Sequence, residues 1–317
     1  MDLTPETLNR HIKSLAAAQG FCACGITRAE PLAQDRGFLE KWLADGRQGE
    51  MGYLERHLEK RLDPRLLADH VKTIICLAHS YYTPTSPSVS ASTGFAKYAL
   101  GQDYHRILKD KMHTLCAALQ THTGPFPYRV FTDSAPVPER RLAQRAGLGW
   151  IGKSSMFIIP RAGSYLFLSE IFTPLDIAPD EPFTAHKCGA CRRCQMACPT
   201  GAIDGSGAID ARKCLSYLTI EYKGNIPPEA SGKLGHRVYG CDTCLDVCPW
   251  NKAPAATGEP AFQPLPTLAR LRPQDWSQMD AETFQEQFSA SPILRAGLDK
   301  IQRTAALVKN NLADNGF

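Results

Sequence analysis

Apolar positions near the start of the chain fall on one helical face. Leu8, Ile12, Leu15 and Ala16 recur at helical spacing behind Thr4, whose hydroxyl can cap the first turn, and Pro5, which suits the first helical position. Gly20 ends that pattern. Residues 21–26 then read as a strand and residues 37–44 as a helix closed by Gly46. Residues 73–82 form an almost unbroken apolar run, as expected of a buried strand, and residues 103–121 return to helical spacing. Residues 128–132 are extended, residues 138–146 predict a short helix ended by Gly147, and residues 156–160 with 165–172 predict a hairpin.

This alternation predicts an α/β (α+β) domain over residues 1–178. Pro174, Pro179 and Pro182 mark its end, and a second composition shift over residues 252–258 closes a middle module, residues 179–252. In residues 253–317 the spacing of Phe284, Phe288, Ile293, Leu294, Leu298, Ile301 and Leu307 predicts a small helical part.

At 317 residues, with 43% hydrophobic and 21% charged positions, the chain has material for about two domains and is not disordered or fibrous. Its apolar runs, such as residues 73–78, fall far short of the roughly 18 residues of a membrane span. The first residues lack the basic and apolar regions of a secretory signal, so the expectation is a soluble, cytoplasmic protein without a membrane partner.

Cysteine changes this picture. Of the 12 cysteines, Cys22, Cys24, Cys76 and Cys116 are scattered in apolar contexts and suit a core; the others crowd between Cys188 and Cys248. In a reducing compartment such a density calls for metal, not disulfides. Cys188, Cys191, Cys194 and Cys198-Pro199 have the x2, x2, x3 spacing of bacterial ferredoxins, in which the fourth cysteine serves the other cluster. Cys241, Cys244 and Cys248-Pro249 repeat the last three ligands, with Cys214 displaced upstream as the first. The crossing rule predicts two [4Fe-4S] clusters, one on Cys188, Cys191, Cys194 and Cys248, the other on Cys198, Cys214, Cys241 and Cys244. Structural zinc is the alternative, but it leaves the spacing unexplained. With both clusters bound, the formal charge of +4 falls near neutrality. Local basic groups remain: Arg140, Arg141 and Arg145; Lys187, Arg192 and Arg193; Arg212, Lys213 and Lys223; Lys233, His236 and Arg237. A phosphate-binding face and a solvated surface are equal readings of them.

Asp133 follows the 128–132 strand and precedes a proline-shaped loop and a helix. It reads either as a catalytic carboxyl at a strand end or as a cap of the next turn. Gly147, Gly149 and Gly152 follow a helix, not a strand, which argues against a dinucleotide loop.

Several long motifs in order now carry a resemblance. Met51-Gly52-Tyr53-Leu54-Glu55-Arg56-His57, Tyr98-Ala99-Leu100-Gly101-Gln102-Asp103-Tyr104-His105, residues 133–153, Gly163-Ser164-Tyr165-Leu166-Phe167-Leu168, residues 214–221 and Tyr239-Gly240-Cys241-Asp242 resemble the epoxyqueuosine reductase family over nearly the whole chain. The resemblance implies a fold like that of reductive dehalogenases, a cobalamin-binding domain joined to a ferredoxin-like module with two [4Fe-4S] clusters. It implies reduction of epoxyqueuosine at the tRNA wobble position to queuosine, with electrons from an external donor and Asp133 as the proton donor. By motif position Arg56, Tyr98, Asp133, Lys153, Phe157, Ser216 and Asp242 would line the corrin, and Lys223, Arg140 and Arg192 would meet the anticodon stem-loop. A monomer is expected. Asp103-Tyr104-His105 begins like a cobalt-ligating D-x-H-x-x-G signature, but Leu108 stands at the glycine position, so His105 is set aside as a helix residue. The competing functions are a dehalogenase-like enzyme acting on a small molecule and a ferredoxin-type electron carrier.

Overall fold

The computed structural model describes residues 4–314. The first helix runs Pro5–Ala18, and the Thr4 hydroxyl accepts the Thr7 amide at 3.3 Å as its cap. The following strand, β1, is Ala23–Arg28 and starts later than the apolar pattern implies. The amide of Phe21 still bonds back to Ala16, so that residue closes the helix and does not open the strand.

Strand β2, Thr73–Ser80, is buried at every position. With β3 (Arg129–Phe131) and a long strand over Leu166–Thr173 it belongs to a sheet whose other member is β1. Two short strands, β4 (Trp150–Ile151) and β5 (Phe157–Ile158), form a separate ribbon, so the long strand is β6. The sheet order is β1-β2-β6-β3, and every neighbouring pair is antiparallel. The expected hairpin of residues 156–160 with 165–172 is therefore absent, since β5 pairs with β4 and β6 with β2 and β3, and an isolated Ile159–Gly163 bridge closes only the turn between the two stretches. The reason is competition for edges. Strand β2 offers eight buried residues, and β6 pairs with all of them from Thr73↔Thr173 to Ser80↔Leu166. Pro160, without an amide donor, stops β5 after two residues.

The two faces of the sheet separate by alternation. Ile26, Ile75, Leu77, Phe167 and Ile171 pack under the Pro5–Ala18 helix and the Tyr104–Thr123 helix, which is capped by Asp103. Ile74, Cys76, Phe131 and Phe172 pack on the other face with Val137, Leu142 and Ala146 of the Glu139–Arg145 helix and its ends. Cys76 and Cys116 are buried as expected, whereas Cys22 is exposed.

A second core has no counterpart in the three sequence segments. Phe95 and Leu100 from the first, Leu215, Leu218 and Tyr239 from the second, and Trp276, Phe288 and Ile301 from the third pack together. No one of these stretches has enough apolar surface to bury alone, so they share one interior. The Lys97 ammonium, 6% exposed, sits at this junction 3.4 Å from Asp242 and 2.6 Å from Asp246, and its backbone N–H also donates to Asp242 at 2.7 Å. Among the described residues no helix is long and apolar enough to cross a membrane.

Breaking that junction carries a defined cost. Lys97→Met should strand the buried Asp242 carboxylate and destabilise the cluster-loaded protein by about 3–5 kcal/mol. Anaerobic urea unfolding reads this, and a loss below about 1 kcal/mol would show that the pair is dispensable.

Candidate functional site

The cysteine runs fold into two neighbouring sets. A cavity of about 300 Å³ is lined by Cys188, Cys191, Cys194 and Cys248, with Lys153 and Trp250 at its wall. The thiol of Cys248 has Cys188, Cys194 and Cys191 as electrostatic neighbours, although it lies in the other run. Cys214 has Cys241 and Cys198 beside it, and Cys244 has Cys241 and Cys214. Cys244 also lies within electrostatic reach of Cys194, so the two sets adjoin. Burial pushes the thiols of Cys194, Cys214, Cys244 and Cys248 up, which leaves them protonated until a metal displaces the proton.

Among the described residues, no three His, Cys, Asp or Glu side chains converge to hold a single metal ion. Zinc would draw its sulfurs to about 2.3 Å, whereas thiols spread round a cavity suit a polynuclear core. Gly152 lets the backbone approach the first set, since a Cβ there would lie 2.7 Å from Ile158 Cδ1 and 3.6 Å from Cys188 Sγ. The adjacent Lys153 ammonium donates to the carbonyls of Gly189 at 2.6 Å and Cys191 at 3.1 Å, fastening the cysteine loop to the first domain.

Asp133 stands where the antiparallel edge strand β3 gives way to its loop. Its φ of +52° is left-handed, a conformation that a non-glycine residue holds only when its surroundings fix it. Two contacts do so. The Tyr104 hydroxyl donates to Asp133 Oδ2 in a short hydrogen bond, and the Asp133 N–H donates to Glu139 Oε1 at 2.6 Å. The carboxylate itself caps no helix: the Glu139–Arg145 helix starts at Pro138 without a side-chain cap, and the Asp133 side chain is 62% exposed. Burial and the Asp133 charge hold the Tyr104 phenol well above its usual range, so it remains a donor. Its ring stacks on Phe167 at 4.0 Å and on His105 at 4.1 Å.

His105, set aside in the sequence, is part of this array. Its Nε2 lies 3.7 Å from Asp133 Oδ2 and accepts from Arg295 at 2.7 Å, while Nδ1 is 2.6 Å from Asp103 Oδ1. That pattern places the proton on Nδ1 of a neutral ring. The Asp103-x-His105 spacing at a helix cap was the available signal. Tyr53, Arg61, Glu139 and Arg295 were also missed. Tyr53 is 41% exposed, and Asp133, Glu221, Arg61 and Arg295 surround it electrostatically.

The remaining sequence candidates divide by what they already hold. The Lys153 and Asp242 side chains are engaged as described, and Phe157 is buried among Ala78, Ala143 and Leu168. Tyr98 is half-buried, its ring edge-on to Tyr104 and its hydroxyl 3.4 Å from that of Tyr239. Ser216 is half-buried in the first turn after Cys214, and Arg56 is exposed. Arg140 reaches Ser155, donating to its hydroxyl at 2.7 Å. Lys223 and Arg192 are exposed, and neither side chain has an ion pair among the described residues. A macrocycle fringed with amides needs aromatic faces and unspent donors. Tyr53, Tyr98 and the buried, unpartnered Nε of Arg61 supply both around Asp133.

The chain is similar to known proteins over nearly its whole length. A family model described as "4Fe-4S double cluster binding domain" matches residues 187–251, and one described as "Epoxyqueuosine reductase QueG, DUF1730" matches residues 61–134. The chain is 40% identical to the epoxyqueuosine reductase of Cellulophaga algicola over 96% of its own length and 99% of that protein. To the Pseudomonas aeruginosa enzyme it is 38% identical, covering 97% and 86%. It superposes with a TM-score of 0.89 and 31% identity on a crystal structure of epoxyqueuosine reductase with an epoxyqueuosine-modified tRNA-Tyr stem loop, covering 99% of this chain and 84% of that one. A Bacillus subtilis epoxyqueuosine reductase with its catalytic aspartate loop swung out of the active site matches with a TM-score of 0.88 at 30% identity, covering 99% and 84%.

The crossed pairing is open to test by a single ligand. Cys198→Ser should damage the set of Cys214, Cys241 and Cys244 and spare that of Cys188, Cys191 and Cys194. Iron counting with EPR of the reduced protein distinguishes them, and loss of the Cys188, Cys191 and Cys194 set with retention of the other would contradict the crossing.

Proposed function

The chain belongs to the epoxyqueuosine reductase family, and we propose that Asp133 is the acid that protonates the epoxide oxygen as it opens. The protein is an oxidoreductase of queuosine biosynthesis that reduces the epoxide of epoxyqueuosine in tRNA to the cyclopentene. When bound, cobalamin and two [4Fe-4S] clusters supply low-potential electrons and a cobalt nucleophile able to break a carbon–oxygen bond. Everything else falls to the chain's own residues.

The observation that carries the proposal is an exposed carboxyl held in strained backbone, with the Tyr104 hydroxyl on one oxygen and the neutral His105 ring nearby. An alkoxide leaving at neutral pH needs a positioned acid, and the exposed Asp133 carboxyl is open to a base turned out of the RNA. Tyr104 orients that carboxyl, and His105, fixed by Asp103 and Arg295, holds Tyr104 by stacking. Arg56, Tyr98 and Ser216, with Tyr53 and Arg61, are assigned to the corrin. Lys153 and Asp242 serve it indirectly by fixing the cysteine loops, and Phe157 by packing inside the first domain.

The eight cysteines divide between two clusters as crossed sets, and residues 179–252 carry electrons from an external donor to the site in residues 1–178, braced by residues 253–317. The tRNA is recognised mostly through phosphate, by Lys223 and Arg192 and by the Arg140 side of the rim, in the cytoplasm, by a monomer.

Asp133→Asn, nearly isosteric, should keep both clusters and RNA binding while single-turnover conversion by fully reduced protein falls by about 10²–10⁴. Conversion at the wild-type rate would remove Asp133 from the chemistry. Affinity for the stem-loop should fall steeply with salt, and Lys223→Ala should flatten the slope by about one unit. A slope equal to the wild type's would exclude Lys223 from the phosphate contacts.

A further inference from the structure

Removing an epoxide oxygen as water consumes two electrons and two protons. The first proton meets the oxygen as one carbon–oxygen bond breaks, and the second lets the resulting hydroxyl leave as water when the other bond breaks and the alkene forms. Asp133 carries one proton at a time. Resting on the reading of Asp133 as the acid, the reaction therefore needs a second proton delivered to Asp133 between the two bond cleavages, from a neighbouring group or from solvent.

Behind Asp133 the structure holds two further carboxyls. Glu170, in the middle of β6, is 0% exposed, and neither of its oxygens has a hydrogen-bond partner among the described residues. A buried ionised carboxylate without a partner is too costly to persist, so Glu170 carries its proton, and burial pushes its pKa far up. It lies opposite Cys76 and Phe131 in the sheet, on the face covered by the Glu139–Arg145 helix. Glu139, at the start of that helix, is half-buried, and its Oε1 accepts the Asp133 N–H at 2.6 Å. The titratable and charged groups facing Glu139 are Asp133 from the loop, Arg140 from its own helix, Arg61 from the Leu58–Leu62 helix, Tyr104 from the Tyr104–Thr123 helix, and Cys76 and the neutral Glu170 from the sheet.

We propose that Glu139, backed by the neutral Glu170, is the proton relay that recharges Asp133 between the two protonations. Asp133 gives its proton to the opening oxygen and becomes a carboxylate. Glu139 then passes a proton to it, and Asp133 delivers that proton to the departing hydroxyl. The two electrons come from the reduced clusters, and two protons from solvent then restore Glu139 and Asp133. Loss of solvent around the carboxyl, reinforced by the neighbouring Asp133 charge, pushes Glu139 up to about 8, so at neutral pH it holds the proton that the relay requires. Glu170 adds no charge beside it and keeps the pocket dry.

Glu139→Gln separates relay from scaffold, because its amide oxygen can still accept the Asp133 N–H. In single turnover with fully reduced protein, wild-type conversion should fall as pH rises through about 8, where Glu139 deprotonates. Glu139→Gln should convert about 10²-fold more slowly and lose that alkaline limb, and Glu139→Asp, which keeps an acid, should recover part of both. A wild-type rate and pH profile in Glu139→Gln would overturn the proposal. Infrared spectra of the protein without cobalamin give an independent readout: protonated-carboxyl intensity at pH 7 should be lost in Glu139→Gln and, separately, in Glu170→Gln. Absence of both signals would also overturn it. Failure of Asp133 itself is recognised separately, by a wild-type rate in Asp133→Asn.

Discussion

The proposed exchange of last ligands between two Cys-Pro runs would constrain everything else in this molecule. If Cys248 completes the set of Cys188, Cys191 and Cys194 while Cys198 joins Cys214, Cys241 and Cys244, neither run can hold a cluster alone. The chain between them must leave and return. On that excursion Leu215, Leu218 and Tyr239 enter a core with Phe95 and Trp276, and Asp242 comes back to meet Lys97. The electron-carrying stretch is thereby built into the catalytic body. Lys153 adds a third tie, from the loop beside the β4–β5 ribbon to the carbonyls of the first cysteine loop.

The same economy governs the proposed acid, Asp133. Antiparallel pairing leaves β3 short and at the sheet edge, so its end is free to bend into a left-handed residue without disrupting a central strand. Tyr104 and Glu139 hold that bend from opposite sides, one through the side chain and one through the backbone. Beneath it, Glu170 occupies a position where an apolar residue would pack without penalty. A buried, unpartnered carboxyl in the centre of a strand is a departure from core chemistry, and its place below Asp133 and Glu139 gives it a purpose.

Much of this was legible in the sequence wherever the signal is local. Covalent ligation imposes short, fixed spacings, which is why a two-cluster module could be recognised from the chain alone. Caps such as Thr4 and Asp103 located helix starts for the same reason. Strand partners were not legible: residues 156–160 and 165–172 read as a hairpin, because nothing near them in sequence reveals that β2 would claim β6. Asp133 was ambiguous until its carboxyl was seen to cap nothing. His105, Arg295 and Glu170 looked ordinary because their roles depend on residues 190 positions apart, as in the Arg295–His105 bond, or on burial that a polar letter inside a strand does not announce. Lys153 and Asp242 were picked for their motif positions, and their partners are visible only in three dimensions.

Electron counting tests the central claim most directly, that clusters and acid form one reductive machine acting on tRNA. Protein loaded with clusters and cobalamin is fully reduced, freed of reductant and mixed anaerobically with a stem-loop carrying epoxyqueuosine, while cluster absorbance and the modified nucleoside are followed together. The account predicts that each queuosine formed is matched by two electrons lost from the protein, and that neither change occurs with RNA that lacks the epoxide. Queuosine formed without loss of electrons from the protein, or electrons lost to the epoxide with no queuosine, would contradict it.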